Sequence, residues 1–336
     1  MSAIIIVLLL FLSVNNLHAQ EFRVMFYNVE NFFDTQNDPD TNDDDFTPTG
    51  TNHWNRNRFI QKRNNIYKTI IAANKGKVPH IVGLCEVENR YVLRQLTEQT
   101  PLSKYNYGIV HYDSPDRRGI DVALLYLKDS FEIIASKAYK TPPLQTRDIL
   151  YVKGRTTDND TLHFFVNHFP SKWGGAASEN SRILVAKVLK HVLDSIFLEN
   201  SNANICVMGD FNDYPDSKLV KVMDVKPLNV NEGNGYLYNM SLHLQEDKQG
   251  SIKFQNKWEL IDLFFVSGNL LFNQTGLRCT ADNIEIFKAG FLLETVTGEG
   301  ESPKRTYRGP IYVGGFSDHL PVIISFIKNK DYDIQI

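Results

Sequence analysis

The chain has 336 residues, of which 42% are hydrophobic and 22% are charged, and its formal net charge is −3. This composition is typical of a globular protein with ample material for a core, and the small net charge excludes a globally basic surface. Any contact with nucleic acid must therefore come from a local basic patch. One large domain is the default, because layered α/β and two-sheet folds reach this size as a single unit.

The N-terminal segment has the outline of a secretory signal peptide. Residues 3–12 form an apolar block, and a more polar stretch follows it up to Ala19 and Gln20, where we expect cleavage. The positive charges that usually precede such a block are missing, so an uncleaved anchor is the alternative, although the block is short for a membrane span. We predict a signal peptide over residues 1–20 and a secreted or periplasmic mature chain without a membrane span.

The three cysteines do not predict a disulfide framework. Their number is odd and small for an exported chain, and Cys85 and Cys206 lie in apolar runs, where a free thiol behaves as a small hydrophobe. A single bridge, which could include Cys279, stays open as the alternative.

The first two predicted strands each end in polar side chains. Residues 22–31 alternate apolar side chains and then present Asn28, and residues 79–89 form an apolar run that ends at Glu86. We expect both polar groups to lie at one edge of a sheet.

An acidic loop and a basic helix separate these strands. The acidic residues 38–45 predict a solvated surface loop; a Ca²⁺ site is the alternative, although their spacing does not follow the EF-hand rule. Residues 54–74 have apolar residues near helical spacing. We expect the exposed face of this helix to present Arg56, Arg58, Lys62, Arg63 and Lys68.

Basic residues flank the strands in the middle of the chain. Residues 105–111 and 120–126 predict two strands joined by a turn with Arg117 and Arg118, which either meets an anion or is merely solvated. A further strand ends at His168 and is followed by a flexible basic turn that begins at Lys172 and includes Trp173.

The strand over residues 203–209 ends in the most informative cluster of the chain. It follows a helix predicted to begin at Ser181, and Gly209 lets the backbone turn before Asp210 and Asn212. The carboxylate can orient or deprotonate water, and the carboxamide can hold an anionic oxygen. An Asx-rich turn is the alternative for this motif alone.

The last two strands bring a carboxylate and a histidine. Residues 258–267 place Asp262 among apolar neighbours, and Asp318 and His319 stand at the entrance to the final strand. If Asp262 reaches His319, it fixes the tautomer of the imidazole and favours its protonated form. A short basic loop, residues 304–308, lies just before this strand.

The polar strand ends together predict a metal-assisted reaction. Carboxylates and a carboxamide without a cysteine ligand suit a hard ion such as Mg²⁺ or Mn²⁺. The sequence has no serine or cysteine nucleophile motif and no Walker-type loop, which favours water as the nucleophile. The sequence therefore predicts metal-assisted hydrolysis of a phosphate ester.

Taken in order, the motifs resemble those of the endonuclease/exonuclease/phosphatase superfamily. They are Asn28, Glu86, Arg118, His168, Gly-Asp-Phe-Asn at 209–212, Ile-Asp at 261–262 and Ser-Asp-His at 317–319. The resemblance implies an α/β (α+β) protein, a four-layer α/β/β/α sandwich of the deoxyribonuclease type, with the catalytic domain over residues 21–330.

The resemblance also implies roles for the matching residues. The metal ligands are expected to be Glu86, Asn28 and Asp318, and the expected catalytic residues are His168, Asp210, Asn212, Asp262 and His319. Arg118 and Lys172 are expected to contact the substrate phosphate. His168 resembles the histidine of the nucleases, where abasic-site enzymes have tyrosine, whereas the place of Glu30 is filled variously in the family.

The resemblance leaves the substrate open. An extracytoplasmic endonuclease acting on DNA or RNA is the first hypothesis, supported by the basic residues Arg117, Arg118, Lys172, Lys304, Arg305 and Arg308. The alternatives are a phosphatase or sphingomyelinase-like phosphodiesterase acting on a lipid or inositol phosphate headgroup, and a catalytically inactive binding module. We expect Mg²⁺ or Mn²⁺ as cofactor, Ca²⁺ as an additional candidate, nucleic acid as substrate and no stable protein partner.

Overall fold

The computed structural model describes residues 20–74, 76–298 and 300–328. Except for Gln20, the predicted signal peptide lies outside this range and stays a prediction. Within the described ranges, no helix combines the length and the apolar character that crossing a membrane requires. Cys85, Cys206 and Cys279 are all buried free thiols, as the interpretation without disulfides requires.

The strands lie in two large sheets and three short ribbons. In chain order they are β1 (Gln20–Phe32), β2 (Ile81–Val87), β3 (Tyr107–His111), β4 (Asp121–Leu127), β5 (Phe131–Tyr139), β6 (Ile149–Thr156), β7 (Thr161–His168), β8 (Asn204–Asp210), β9 (Leu237–Asn239), β10 (Ile252–Phe254), β11 (Lys257–Glu259), β12 (Asp262–Ser267), β13 (Leu277–Arg278), β14 (Ile284–Ile286), β15 (Leu293–Val296), β16 (Gly300–Pro303), β17 (Tyr307–Arg308), β18 (Ile311–Tyr312) and β19 (Val322–Lys328). The first sheet has the order β13-β19-β1-β2-β4-β3, with β14 also on β19, and the second has the order β5-β6-β7-β8-β12-β9.

The helices connect these strands and cover the sheets. They are α1 (Arg56–Ala73), α2 (Arg90–Glu98), α3 (Gly175–Glu199), α4 (Lys218–Val222), α5 (Leu242–Glu246) and α6 (Asn269–Phe272). Short 3₁₀ helices lie at Asp44–Phe46, Pro101–Tyr105, Ala281–Asn283 and Gly290–Leu292. The side chain of Asn55 caps α1 by accepting from the backbone N–H groups of Asn57 and Arg58.

Alternation along the strands builds two apolar layers. In β1, Val24 and Phe26 point into the core between the sheets, whereas Met25 and Tyr27 point to the other face, where α1 and α2 pack. The first core also includes the apolar side of α3, with Leu189 fully buried, against the second sheet. These layers confirm the predicted four-layer α/β/β/α sandwich.

Strand register gathers the polar strand ends at one edge of the sandwich. Parallel pairing of β7 with β8 sets His168 beside Asp210, and antiparallel pairing of β8 with β12 sets Asp210 beside Asp262. In the first sheet, Asn28 pairs with Cys85, next to a register irregularity that contains Glu86. The expectation of a shared edge is therefore correct.

Several local predictions are wrong. Helix α3 begins at Gly175, and Ser181 lies inside it, because its hydroxyl bonds back to the carbonyl of Ala177 and does not cap the helix. Lys62 was expected on the exposed face of α1 but is 1% exposed. The single strand expected over residues 258–267 is divided into β11 and β12.

Gly209 tests how closely β7 and β8 must approach behind the site. A Cβ added there would lie 2.5 Å from the carbonyl oxygen of Asn167, so Gly209→Ala forces the paired strands apart. We expect the variant to lose about 1–3 kcal/mol of unfolding free energy in urea denaturation.

Gly290→Ala is the matched control for this prediction. Apart from chain neighbours, its added Cβ would meet no heavy atom of the described residues within 4 Å. An unchanged unfolding midpoint in Gly209→Ala would show that the strands tolerate the separation.

Candidate active site

A charged hydrogen bond lies at the centre of the polar edge. Nδ1 of His319 lies 2.7 Å from Oδ2 of Asp262, which also accepts from the hydroxyl of Ser251 at 2.5 Å. All three side chains are buried. Burial opposes the charge of His319, but Asp262, and then Asp318 and Asp210, raise its pKa well above the ordinary value of histidine. Asp262 therefore holds a protonated imidazole with Nε2–H directed away from it.

Asp210 faces this imidazole from the adjacent strand. Its Oδ2 lies 3.9 Å from Nε2 of His319 and accepts from Nδ2 of Asn28 at 3.1 Å, while its Oδ1 accepts from the backbone N–H of Asn212 at 2.8 Å. Burial and the nearby Asp262 raise the pKa of Asp210 to about 7. This carboxyl is thus able to exchange a proton near neutral pH.

His168 completes the row on the second sheet. Its Nε2 lies 3.6 Å from Oδ2 of Asp210 and 3.9 Å from Oε1 of Glu86. Burial, with the positive charges of Arg147, Arg118 and His319, lowers its pKa well below the ordinary value. His168 is therefore a neutral imidazole that spans the gap between the two sheets.

Glu86 and Asn28 supply oxygen atoms from the first sheet. Oε2 of Glu86 accepts from the backbone N–H of Asn31 at 2.9 Å, and Oδ1 of Asn28 accepts from that of Glu30 at 2.9 Å. Four residues here have the left-handed backbone that side chains rarely adopt: Glu30, Asn31, Glu86 and Asn212. Such backbone strain is concentrated at functional sites, where it aims a side chain.

A partly buried ionic network supports Asp318, and it contains Lys62 and Arg305, to which the sequence interpretation gave other roles. The guanidinium of Arg305 donates to Oδ2 of Asp318 at 2.7 Å and lies 3.5 Å from Oε1 of Glu30. The ammonium group of Lys62 lies 3.7 Å from Oε2 of Glu30 and donates to Thr306 and to the carbonyl of Phe316. Burial, together with Asp318, raises the pKa of Glu30 to about 7.

The predicted phosphate contacts lie around the site but are already paired. Arg118 is 3.6 Å from Glu86 and donates to Asn31, whereas Lys172 is 3.2 Å from Glu259 and stacks on Tyr214. Nδ2 of Asn212 donates to the carbonyl of Phe169 at 3.0 Å, which leaves the second hydrogen of this amide for a ligand. The structure thus brings together Asn28, Glu86, His168, Asp210, Asn212, Asp262, Asp318 and His319, with Arg118 and Lys172 at the periphery.

The donor set fits a hard divalent cation. Glu86, Asn28 and Asp318 offer oxygen atoms, and the neighbouring Cys85 is a buried thiol whose pKa burial raises well above its ordinary value, so it is not a thiolate ligand. Burial is the main cause of the raised pKa values of Asp210 and Glu30, and the carboxylates of Asp262 and Asp318 add to it; a cation would offset both effects.

Among the described residues, two groups of three side chains are close enough to share one cation. Neither group is the set of Glu86, Asn28 and Asp318. The two groups are Asp210, Asp262 and His319, and His111, Asp113 and Asp121. In the first group, one Asp262 oxygen is already bound by His319 and Ser251, so we interpret it as a hydrogen-bonded relay. The acidic loop, residues 38–45, supplies neither group, and calcium there stays a prediction.

Charge around the site is asymmetric. A cavity of about 470 Å³, here called the acidic cavity, lies beside the Glu86 end of the site, two residues from Glu86 at Glu88. Its carboxylates are Asp34, Asp38, Asp40, Glu88, Asp113, Asp116 and Asp121. Burial, together with the charges of Asp34, Asp43 and Asp38, raises the pKa of Glu88 to about 8. The carboxylates outnumber the one basic residue of the cavity lining, Arg117, so this side of the site offers no basic surface to a polyanion.

Comparison with known proteins gives one family and several structures. The sequence model described as "Endonuclease/Exonuclease/phosphatase family" matches residues 23–328. A search of curated proteins gives no significant match.

Solved structures of low sequence identity share the fold. An endonuclease/exonuclease/phosphatase family protein from Bacteroides thetaiotaomicron has 16% identity and a TM-score of 0.57, with 93% of this chain and 96% of that chain covered. The D. rerio TDP2 complexed with single strand DNA product has 13% identity and a TM-score of 0.57, with 91% and 98% covered. The mannosyl-6-phosphatase of B. thetaiotaomicron has 15% identity and a TM-score of 0.55, with 91% and 99% covered. At these identities the likeness concerns the fold alone.

Asp210→Asn tests the buried negative charge in the metal-free protein. The pKa of Asp210 in the folded protein is about 7, whereas an unfolded Asp titrates near about pH 4. Its contribution to stability is therefore full below about pH 4 and is lost as the pH rises towards about pH 7. Asn does not titrate, so we expect the loss of unfolding free energy between about pH 5 and about pH 8 to be about 1–3 kcal/mol smaller in the variant.

Urea unfolding in EDTA at both pH values measures this difference. The exposed Asp282→Asn serves as the matched control. If Asp210→Asn and the unmodified protein lose the same unfolding free energy over this range, the pKa of Asp210 is not raised by burial as argued.

Proposed function

The chain belongs to the endonuclease/exonuclease/phosphatase family, and on this premise we propose that it is a metal-dependent phosphodiester hydrolase that cleaves nucleic acid by attack of water. One observation supports this most strongly: the protonated His319, held by Asp262, faces the carboxyl of Asp210 across 3.9 Å. A positive donor and a proton acceptor at this separation match the two needs of phosphate ester hydrolysis.

The proposed mechanism uses the residues of the second sheet. Asp210 takes a proton from water, which its raised pKa makes effective near neutral pH. The oxygen of this water bonds to phosphorus as the bond between phosphorus and the leaving oxygen breaks, and the leaving oxygen takes a proton from solvent water. Nε2–H of His319 donates to a phosphate oxygen, and Asp262 stabilises the positive charge of the imidazole as the phosphate gains charge. The amide of Asn212 holds a second phosphate oxygen, and the neutral His168 excludes water between the sheets.

The proposed cation binds to oxygen atoms of the first sheet. Glu86 would hold it, with Asn28 and Asp318 bound directly or through water. When bound, Mg²⁺ or Mn²⁺ neutralises phosphate charge. Arg118, 3.6 Å from Glu86, lies where it would contact the phosphate that enters beside this cation.

The proposal also covers where the enzyme acts and which residues form its catalytic domain. The apolar block at residues 3–12 supports export, with residues 1–20 removed and residues 21–330 forming the catalytic domain outside the cytoplasm. Either a secreted or a periplasmic enzyme fits this proposal.

A small phosphate ester is the second candidate substrate. Five of the six basic residues that favoured a long polyanion have partners: Arg118 with Glu86, Lys172 with Glu259, Arg305 with Asp318, Arg308 with Glu294 and Arg117 with Gln145. The acidic cavity lies on one side of the site. Both observations favour few phosphate contacts. If a small phosphate ester is the substrate, its cleavage should therefore depend only weakly on salt.

Two variants test the proposed reaction directly. We expect His319→Ala and Asp210→Ala each to lower metal-dependent nicking of supercoiled plasmid DNA by about 10²–10⁴-fold, because each removes one of the two proton-handling groups. His191→Ala, an exposed histidine on α3, is the control and should keep full activity. Retained nicking in Asp210→Ala would remove Asp210 from the mechanism, and folded protein that cleaves neither plasmid nor single-stranded DNA would move the proposal to small phosphate esters.

Glu86→Gln tests the ligand role. The amide keeps the size of the side chain but loses its charge, so we expect at least about tenfold more Mg²⁺ or Mn²⁺ to be needed for half-maximal activity. Glu98→Gln, on the surface of α2, is the matched control. An unchanged metal titration in Glu86→Gln would exclude Glu86 as a principal ligand.

A further inference from the structure

An apolar groove opens directly beside the candidate active site. It has a volume of about 360 Å³ and is lined by Trp173, Ile252, Phe254 and Ile261, with Lys172 and Glu259 as its charged members. We call it the apolar groove. Its size is at the lower end of small-molecule sites, which suits one ring system better than a long chain.

The groove is continuous with the reacting groups. Ile261 directly precedes Asp262, and Ile252 forms a β-bridge with His319. Asn212, the proposed phosphate contact, lines the inner end of the groove. A group bonded to the phosphate at the site therefore enters the groove without crossing other parts of the protein.

Two aromatic rings form an open platform in the groove. The side chain of Trp173 is 82% exposed and that of Phe254 is 43% exposed, and their ring centroids lie 6.4 Å apart at an interplanar angle of 90°. Large exposed apolar side chains in contact with each other are uncommon on a soluble surface without a ligand. The edge-to-face geometry leaves one face of the indole free for stacking.

The charged members of the groove decide between an aromatic ring and an alkyl chain. Lys172 and Glu259, 3.2 Å apart, would be desolvated by either ligand. An alkyl chain offers them no hydrogen bond, whereas the edge of a nucleobase offers both acceptors and donors.

From these observations we propose that the apolar groove binds the nucleobase next to the cleaved phosphate, with the base stacked on the indole of Trp173 and its edge against Phe254. This inference rests on the proposed function and narrows it: the enzyme favours an unpaired nucleotide, because a base inside a duplex cannot stack on these rings. Stacking recognises any base by its π face, so little sequence preference is expected.

Matched chromogenic diesters test the proposal. Thymidine 5′-(4-nitrophenyl phosphate) and thymidine 3′-(4-nitrophenyl phosphate) share their leaving group with methyl 4-nitrophenyl phosphate but carry a nucleoside. We expect at least one nucleoside ester to have a kcat/KM about tenfold or more above that of the methyl ester. Trp173→Ala and Phe254→Ala should reduce this preference.

Tyr91→Ala is the matched control, because Tyr91 is an aromatic side chain of similar exposure, 53%, on α2. Equal kcat/KM values for the nucleoside and methyl esters, or a preference that survives both groove variants, would overturn the groove assignment while leaving the hydrolase intact. Cleavage of none of the esters by folded, metal-loaded protein would instead overturn the proposed function, and the inference with it.

A binding measurement separates these outcomes from activity. In Asp210→Ala, thymidine 5′-monophosphate should quench the exposed Trp173, and the quenching should disappear when Trp173→Phe is added. Trp54 is fully buried and Trp258 is only partly exposed, so Trp173 is the most accessible indole for such a ligand. Saturable quenching that persists without Trp173, or none in its presence, would contradict the stacking.

Discussion

The candidate site depends on how buried negative charge is balanced. Asp210, Asp262 and Asp318 converge on one imidazole, and the 2.7 Å contact between His319 and Asp262 turns that imidazole into a buried cation. Without the positive charge of His319, three carboxyls would share a region with little water, which is strongly unfavourable. The positive charge of His319 stabilises the folded site and is also available to a phosphate. One side chain therefore serves both the fold and the proposed reaction.

Strand register makes this balance possible. His168, Asp210 and Asp262 lie side by side because β7 and β8 end, and β12 begins, at the same level, and a register irregularity in β2 turns Glu86 towards them. A slip of one residue in any of these strands would send the side chain to the opposite face. The left-handed backbone at Glu86 is tolerated because β2 is paired with β1 on one side and with β4 on the other.

Sequence reasoning found the residues that end strands, and it missed the residues that act through tertiary contacts. Asp210, Asp262 and His319 were visible because each interrupts an apolar run. Lys62 was misplaced because helical spacing alone does not show that its ammonium group meets Glu30 and the loop at Thr306, far away in the sequence. No sequence pattern indicated Ser251, the second partner of Asp262. Strands β5 and β6 were not predicted either. In both cases the environment is set by neighbours from other parts of the chain.

The surroundings of the site are as informative as its centre. On the Glu86 side the acidic cavity offers no basic surface to phosphates, and on the Asn212 side an apolar groove offers rings and few charges. A long duplex needs a continuous row of cations across the site, and the arginines that would form it are bound to carboxylates instead. A substrate that presents one phosphate to His319 and one flat group to Trp173 meets neither obstacle. This asymmetry supports the proposal that the substrate is a short or unpaired nucleotide and not a duplex bound along its length.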